Sequence, residues 1–165
     1  MARASEKVGL WMVGACGAIG TTVTVGLAAL RRKLTATTGL VTDLPPLRSA
    51  SLPDPGDIVV GGYEVRAETL ATAAQGLHER AGLFDERLLR AAAGDLRRAQ
   101  RDIRPGTVFG AGPTIRALAE DEFCPQDRTA AAAVERLAAD ISAFRKRHRL
   151  DRVVVVHVAS SEPPC

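Results

Sequence analysis

Residues 8–22 read V-G-L-W-M-V-G-A-C-G-A-I-G-T-T, an apolar run that opens into a glycine-rich turn. Gly14, Gly17 and Gly20 stand three apart. A buried parallel strand that ends on a tight turn and passes straight into a helix leaves backbone N–H groups aimed at whatever approaches the turn. That arrangement suits a phosphate. The stretch therefore predicts a strand over Val8–Val13 and a helix over Ala18–Arg32, with Arg31 and Arg32 at the negative end of the helix dipole. Two registers of the G-x-G-x-x-G pattern fit. Starting at Gly14, Cys16 and Ile19 fall on glycine positions. Starting at Ala15, Gly17 and Gly20 are kept and only the first glycine is replaced.

The 165 residues suffice for one domain, here taken as 1–165, and 46% hydrophobic content supplies its core. Aromatics make up only 4%, so that core is aliphatic. The net charge of +3 is spread along the chain. No basic block is interleaved with stacking aromatics, which argues against nucleic acid as a partner. Cys16, Cys124 and Cys165 form an odd set without C-x-x-C spacing, against both a disulfide framework and zinc. A reducing cytoplasm is the setting that fits. Val8–Leu30 carries no charge and is long enough to imitate a membrane span. Its five glycines and three threonines are explained by strand–turn–helix and merely tolerated by a span, so no membrane is expected.

Further along, Thr38–Thr42 reads as a second strand ended by Asp43 and Pro45-Pro46, and Leu47–Asp57 as a loop. Asp57–Val60 reads as a third strand broken by Gly61-Gly62, and Ala67–Arg80 as a helix. Phe84, Leu88, Ala92, Leu96, Ala99 and Ile103 recur at helical spacing, a core-packing stripe. Thr107–Gly112 reads as a short strand and turn, and Thr129–His148 as a helix with cations in its last turn. The β-branched run Arg152–Val158 reads as a strand buried on both faces of a parallel sheet. Strands alternating with helices define an α/β fold, a Rossmann-like, doubly wound, mostly parallel sheet.

Ligands of such sheets bind beyond the carboxyl ends of the strands. Those ends are Gly14–Gly20, Asp43, Gly61–Glu64 and Ala159–Glu162. Asp43 lies 23 residues past Gly20, near the spacing at which an acid takes the adenosine ribose, and Glu64 competes for that role. His78 and His148 read as solvated helix residues and His157 as a core residue of its strand. No Ser/His/Asp or metal-ligand arrangement is present.

The blocks W-M-V-G-A-C-G-A-I-G-T-T (11–22), G-L-V-T-D-L-P (39–45), V-V-G-G-Y-E-V-R (59–66), F-D-E-R-L-L (84–89) and V-V-V-H-V-A-S-S-E-P-P (154–164) stand in one order over nearly the whole chain. Together they resemble the inositol-3-phosphate synthase (myo-inositol-1-phosphate synthase) family, nearest to its archaeal and bacterial forms. The resemblance implies a cytoplasmic isomerase with tightly bound NAD that converts glucose 6-phosphate to inositol 3-phosphate, for inositol and phospholipid biosynthesis. In such enzymes a sugar carbon is oxidised, an enolate closes the ring and the hydride returns, so the cofactor must stay bound throughout.

The resemblance places the pyrophosphate on Gly14, Ala15, Cys16, Gly17, Ala18, Ile19 and Gly20. Glu64, where many members have Asp, then takes the ribose ahead of Asp43, and Ala159 and Ser160 line the nicotinamide side. His157 stands in place of a more usual Asn. Members of this family are at least about twice as long, assemble as homotetramers and carry their catalytic lysines beyond Pro164. The expectation is therefore the N-terminal cofactor portion of such an enzyme, without catalytic residues of its own and with a sheet edge left exposed. The alternatives are a non-catalytic nucleotide-sensing domain on the same scaffold and an ordinary hydride-exchanging dehydrogenase.

Overall fold

A computed structural model of the chain describes residues 6–47, 50 and 52–159. Its elements are β1 (Val8–Val13), α1 (Ala18–Arg31), β2 (Ile58–Glu64), α2 (Leu70–Ala81), α3 (Glu86–Gln100), β3 (Ile103–Pro105), α4 (Pro113–Leu118), α5 (Ala130–His148) and β4 (Arg152–His157). The sheet order is β3-β2-β1-β4, and every pairing is parallel. The chain passes from β1 outward to β2 and β3, then returns to the other side of β1. The strand order therefore reverses between β1 and β4, which is the topological switch of a doubly wound sheet.

Residue alternation along the strands sorts the core into two layers. Met12 and Val60 pack under α1, α2 and α3 with Ala15, Val25, Ala28, Leu70, Ala74, Ala92 and Leu96. Trp11 and Tyr63 face the other way and pack with Phe144 of α5 and Leu150. The Trp11 ring meets Tyr63 and Phe144 edge-on, both at 4.9 Å between centroids. These three aromatics thus sit together on one face, and the other is mainly aliphatic, with Phe84 among its buried residues. Tyr63 Oη donates to Leu137 O (2.6 Å). Arg136 donates to the carbonyls of Pro105 and Gly106 (3.0 and 2.9 Å), fixing α5 against the exit of β3.

Several sequence readings change. β2 does not break at Gly61-Gly62 but runs through them to Glu64. A Cβ on Gly61 would sit 2.9 Å from the Trp11 ring, and one on Gly62 would sit 2.2 Å from Met12 O. These glycines make room for a neighbour rather than end the strand. Thr38–Thr42 forms no strand. Short 3-10 turns occupy Val41–Asp43 and Pro45–Leu47, and the segment is exposed, so its apolar residues had no sheet to join. The short strand expected within Thr107–Gly112 lies earlier, at Ile103–Pro105. There the last residue of the α3 stripe, Ile103, has left the helix for β3.

β4 forms as expected but is not buried on both faces. It is an edge strand of the described sheet, with Val154, Val155 and Val156 exposed by 43, 52 and 37%. A flat β-branched edge with unpaired backbone groups is a template for self-association. We expect Val155→Lys to shift the chain toward a monodisperse species in size-exclusion chromatography with light scattering. Its thermal midpoint should change little, since the position is on the surface. Unchanged association would remove this edge as its cause.

Candidate functional site

The turn after β1 is built on three close approaches. Gly14 has φ +85°, a left-handed conformation that a Cβ disfavours, and an added Cβ would lie 3.0 Å from the Ala159 backbone. Ala159, just past β4, therefore abuts the start of the turn. Gly20 lies in the first turn of α1, where a Cβ would come 2.4 Å from Ala15 O. Around Gly17 the same test meets only Gly14 O, at 3.1 Å, so the space outside the turn is open. Gly14 thus supplies the backbone conformation of the turn, Gly17 leaves open space beside it and Gly20 makes the contact between turn and helix.

The turn's own donors are folded back onto β2. Gly14 and Ala15 N–H both donate to Tyr63 O (2.9 and 3.0 Å), and Gly17 N–H donates to Gly14 O (3.0 Å). Cys16 N–H donates to Glu64 Oε2 (3.1 Å). Glu64 is only 4% exposed, and its Oε1 accepts from Val65 N–H (3.0 Å) and Arg66 Nε (3.3 Å). The carboxylate at the end of β2 therefore clasps the middle of the glycine turn, with Arg66 laid over it. Burial first, then the negative charges of Glu64 and Glu68, pushes the Cys16 thiol up to about 12. Cys16 is a thiol packed into the turn and held protonated by its burial.

What remains is the start of α1. Thr69, Asp85 and Thr129 cap α2, α3 and α5, each accepting from a first-turn N–H. Helix α1 begins at Gly17 with no side-chain cap and no acidic residue in its first turn. Among the described residues no side chain caps its positive end, which lies at the carboxyl edge of β1, beside the β1/β4 switch. A bare helix end over an open glycine turn fits a dinucleotide pyrophosphate.

The structure brings Gly14–Gly20, Glu64 and Ala159 together. Ser160 lies outside the described residues. Asp43 is placed in an exposed 3-10 turn that follows no strand, so the geometry that made it a ribose candidate is not formed. The histidines also differ from expectation. His148 Nε2 is 2.8 Å from Asp102 Oδ2 and His78 Nδ1 is 2.5 Å from Phe84 O, while His157 is exposed on β4. Arg66 was missed, although its signal was present: it lies two residues beyond Glu64 and so exits the strand on the same side. Among the described residues, no group of three or more His, Cys, Asp or Glu could hold a metal, and no helix is long and apolar enough to cross a membrane.

Sheet order, turn and helix end define a Rossmann-type dinucleotide-binding domain. An NAD-binding family model described as myo-inositol-1-phosphate synthase matches residues 8–165, so the chain belongs to that family and its cofactor is NAD. The crystal structure of inositol-3-phosphate synthase from Caenorhabditis elegans shares the fold, with a TM-score of 0.73 and 20% identity over 94% of this chain. The chain spans 34% of that protein's chain. No curated protein matches it in a sequence search.

Proposed function

We propose that this chain forms the NAD-holding part of an inositol-3-phosphate synthase, an enzyme whose substrate is glucose 6-phosphate. The observation that carries the reading is the bare N-terminus of α1 above the Gly14–Gly20 turn, locked from β2 by Glu64 and bounded by Ala159. In this reading the N–H groups of Ala18, Ile19 and Gly20 bind the pyrophosphate. Glu64, rather than Asp43, accepts from the adenosine ribose hydroxyls. Ala159 and Ser160 leave room for the nicotinamide. When bound, NAD supplies a hydride acceptor that can return what it takes. The residues of this chain bind and orient it.

Calorimetric titration of the chain with NAD tests this directly. One-site binding is expected, together with no inositol phosphate formed from glucose 6-phosphate by residues 1–165 alone. A folded sample that gives no NAD binding would overturn the cradle. Turnover by the isolated chain would overturn the view that it holds the cofactor without completing the reaction.

A further inference from the structure

A cavity of about 300 Å³ opens at the other end of the strands from the glycine turn. Its walls include Lys7 ahead of β1, Ile58–Val60 at the start of β2, Thr24 and Arg31 of α1, the last turns of α3, and His148 of α5. Two carboxylates face it, Asp95 (8% exposed) and Asp102 (5%). The cations around them outnumber them. Asp95 is shared by three guanidiniums: Arg32 Nη2 at 2.8 Å, Arg98 Nη2 at 3.5 Å and Arg31 Nη1 at 3.7 Å. Asp102 receives Arg147 Nη1 at 2.6 Å and His148 Nε2 at 2.8 Å. Lys7 Nζ closes the opposite wall, donating to His148 O (3.0 Å).

Of the side chains that line the cavity, Lys7, Arg31 and Arg98 are permanent cations and Asp95 and Asp102 are carboxylates; Arg32 and Arg147 bind those carboxylates from outside the lining, and Asp151 accepts from Lys7 N–H (2.8 Å). Arg31 carries part of that surplus. This guanidinium is held from behind by the carbonyls of Pro55 and Ile58, and its carboxylate is the most distant of the Asp95 set. Burial, and the like charge of Arg98, hold Arg31 below its ordinary pKa despite Asp95. Positive charge held out of water beside an open cavity is the electrostatic condition for anion binding. A compact dianion suits it, because two or three guanidinium forks can share one tetrahedral oxyanion.

We propose that this cavity binds a phosphate group, carried by a small phosphomonoester or present as free phosphate, between the Arg31–Arg98 wall and Lys7. Asp95 and Asp102 hold the cations in place rather than neutralise the site. The apolar residues Val59, Val60 and Ala99 line the part of the cavity that an organic moiety of a monoester would fill.

The test is titration of the chain with inorganic phosphate and with glycerol phosphate, read by calorimetry and thermal midpoint against sodium chloride of equal ionic strength. Both probes are expected to bind and raise the midpoint beyond the chloride control. Arg98→Ala is expected to weaken binding about tenfold, the loss of one charge-assisted contact. The Arg98 side chain is 69% exposed, so this variant should fold. Lys7→Gln repeats the test from the opposite wall. Tighter binding of glycerol phosphate identifies a monoester as the ligand, and equal binding identifies free phosphate. No binding beyond the chloride control overturns the proposal. So does binding that neither variant weakens, which would place the phosphate elsewhere, including on the glycine turn. NAD titration of Arg98→Ala should match the unaltered chain, which keeps this outcome separate from the cofactor reading.

Discussion

Gly20→Ala is expected to destabilise the chain and to lower its NAD affinity at least about 100-fold, as if two hydrogen bonds to charged groups were lost. The sign is the informative part. Inside a helix, alanine ordinarily stabilises relative to glycine by about 1 kcal/mol. At Gly20 that gain meets a Cβ placed 2.4 Å from Ala15 O, a backbone atom that cannot rotate away. Turn and helix must separate, at a cost of roughly 3 kcal/mol for an overpacked contact. The separation moves the first-turn N–H groups proposed to bind the pyrophosphate. Gly26 provides the control on the same helix, since nothing lies within 4 Å of a Cβ there. Gly26→Ala should raise the midpoint of thermal unfolding and leave NAD affinity unchanged, while Gly20→Ala lowers both. Parallel behaviour of the two variants would show that the close packing of α1 on the turn does not matter.

The same comparison explains what could be read from the sequence. The strand–turn–helix of Val8–Arg31 was legible because its signals are local: an uncharged run, glycines at fixed intervals and cations at the helix end. The helices Glu86–Gln100 and Ala130–His148 were legible for the same reason, through their apolar period. Gly61 and Gly62 were misread because their reason for being glycine is not local. It is the ring of Trp11, fifty residues earlier, and the carbonyl of Met12. Thr38–Thr42 was misread in the opposite way. Its composition suits a strand, but strand propensity measures fit to a half-buried pleat, and no neighbouring strand offers one. Val153–Val156 shows both cases in one element, since composition gave the strand while its place at the edge depended on which strands pair with it. The role of Glu64 was legible only as a position at a strand end. Its grip on the Cys16 N–H depends on β2 continuing through the two glycines, which carries the carboxylate to the level of the turn.

Glu64 accordingly carries the second large effect. Glu64→Ala removes the acceptor of the buried Cys16 N–H and one acceptor of Val65 N–H. Leaving such donors without a partner costs about 3 kcal/mol in total, and Arg66 loses the carboxylate it lies against as well. NAD binding should fall below detection if the proposed ribose contact holds, because the turn loosens and the ribose loses its acceptor together. Glu64→Gln separates the two roles. It keeps an oxygen for one backbone donor and should retain most of the stability, but presents the ribose with a neutral group. A titration cycle with NAD and its adenosine 2′-deoxy analogue reads the ribose contact itself. If Glu64 accepts from that hydroxyl, the unaltered chain prefers NAD by about tenfold, the value of a hydrogen bond to a charged group, and Glu64→Gln loses the preference. NADP should bind the unaltered chain more weakly than NAD, since its 2′-phosphate would be set against the carboxylate. An unchanged preference for NAD over the deoxy analogue in Glu64→Gln would leave Glu64 as a clasp of the glycine turn alone, with the ribose held by another group.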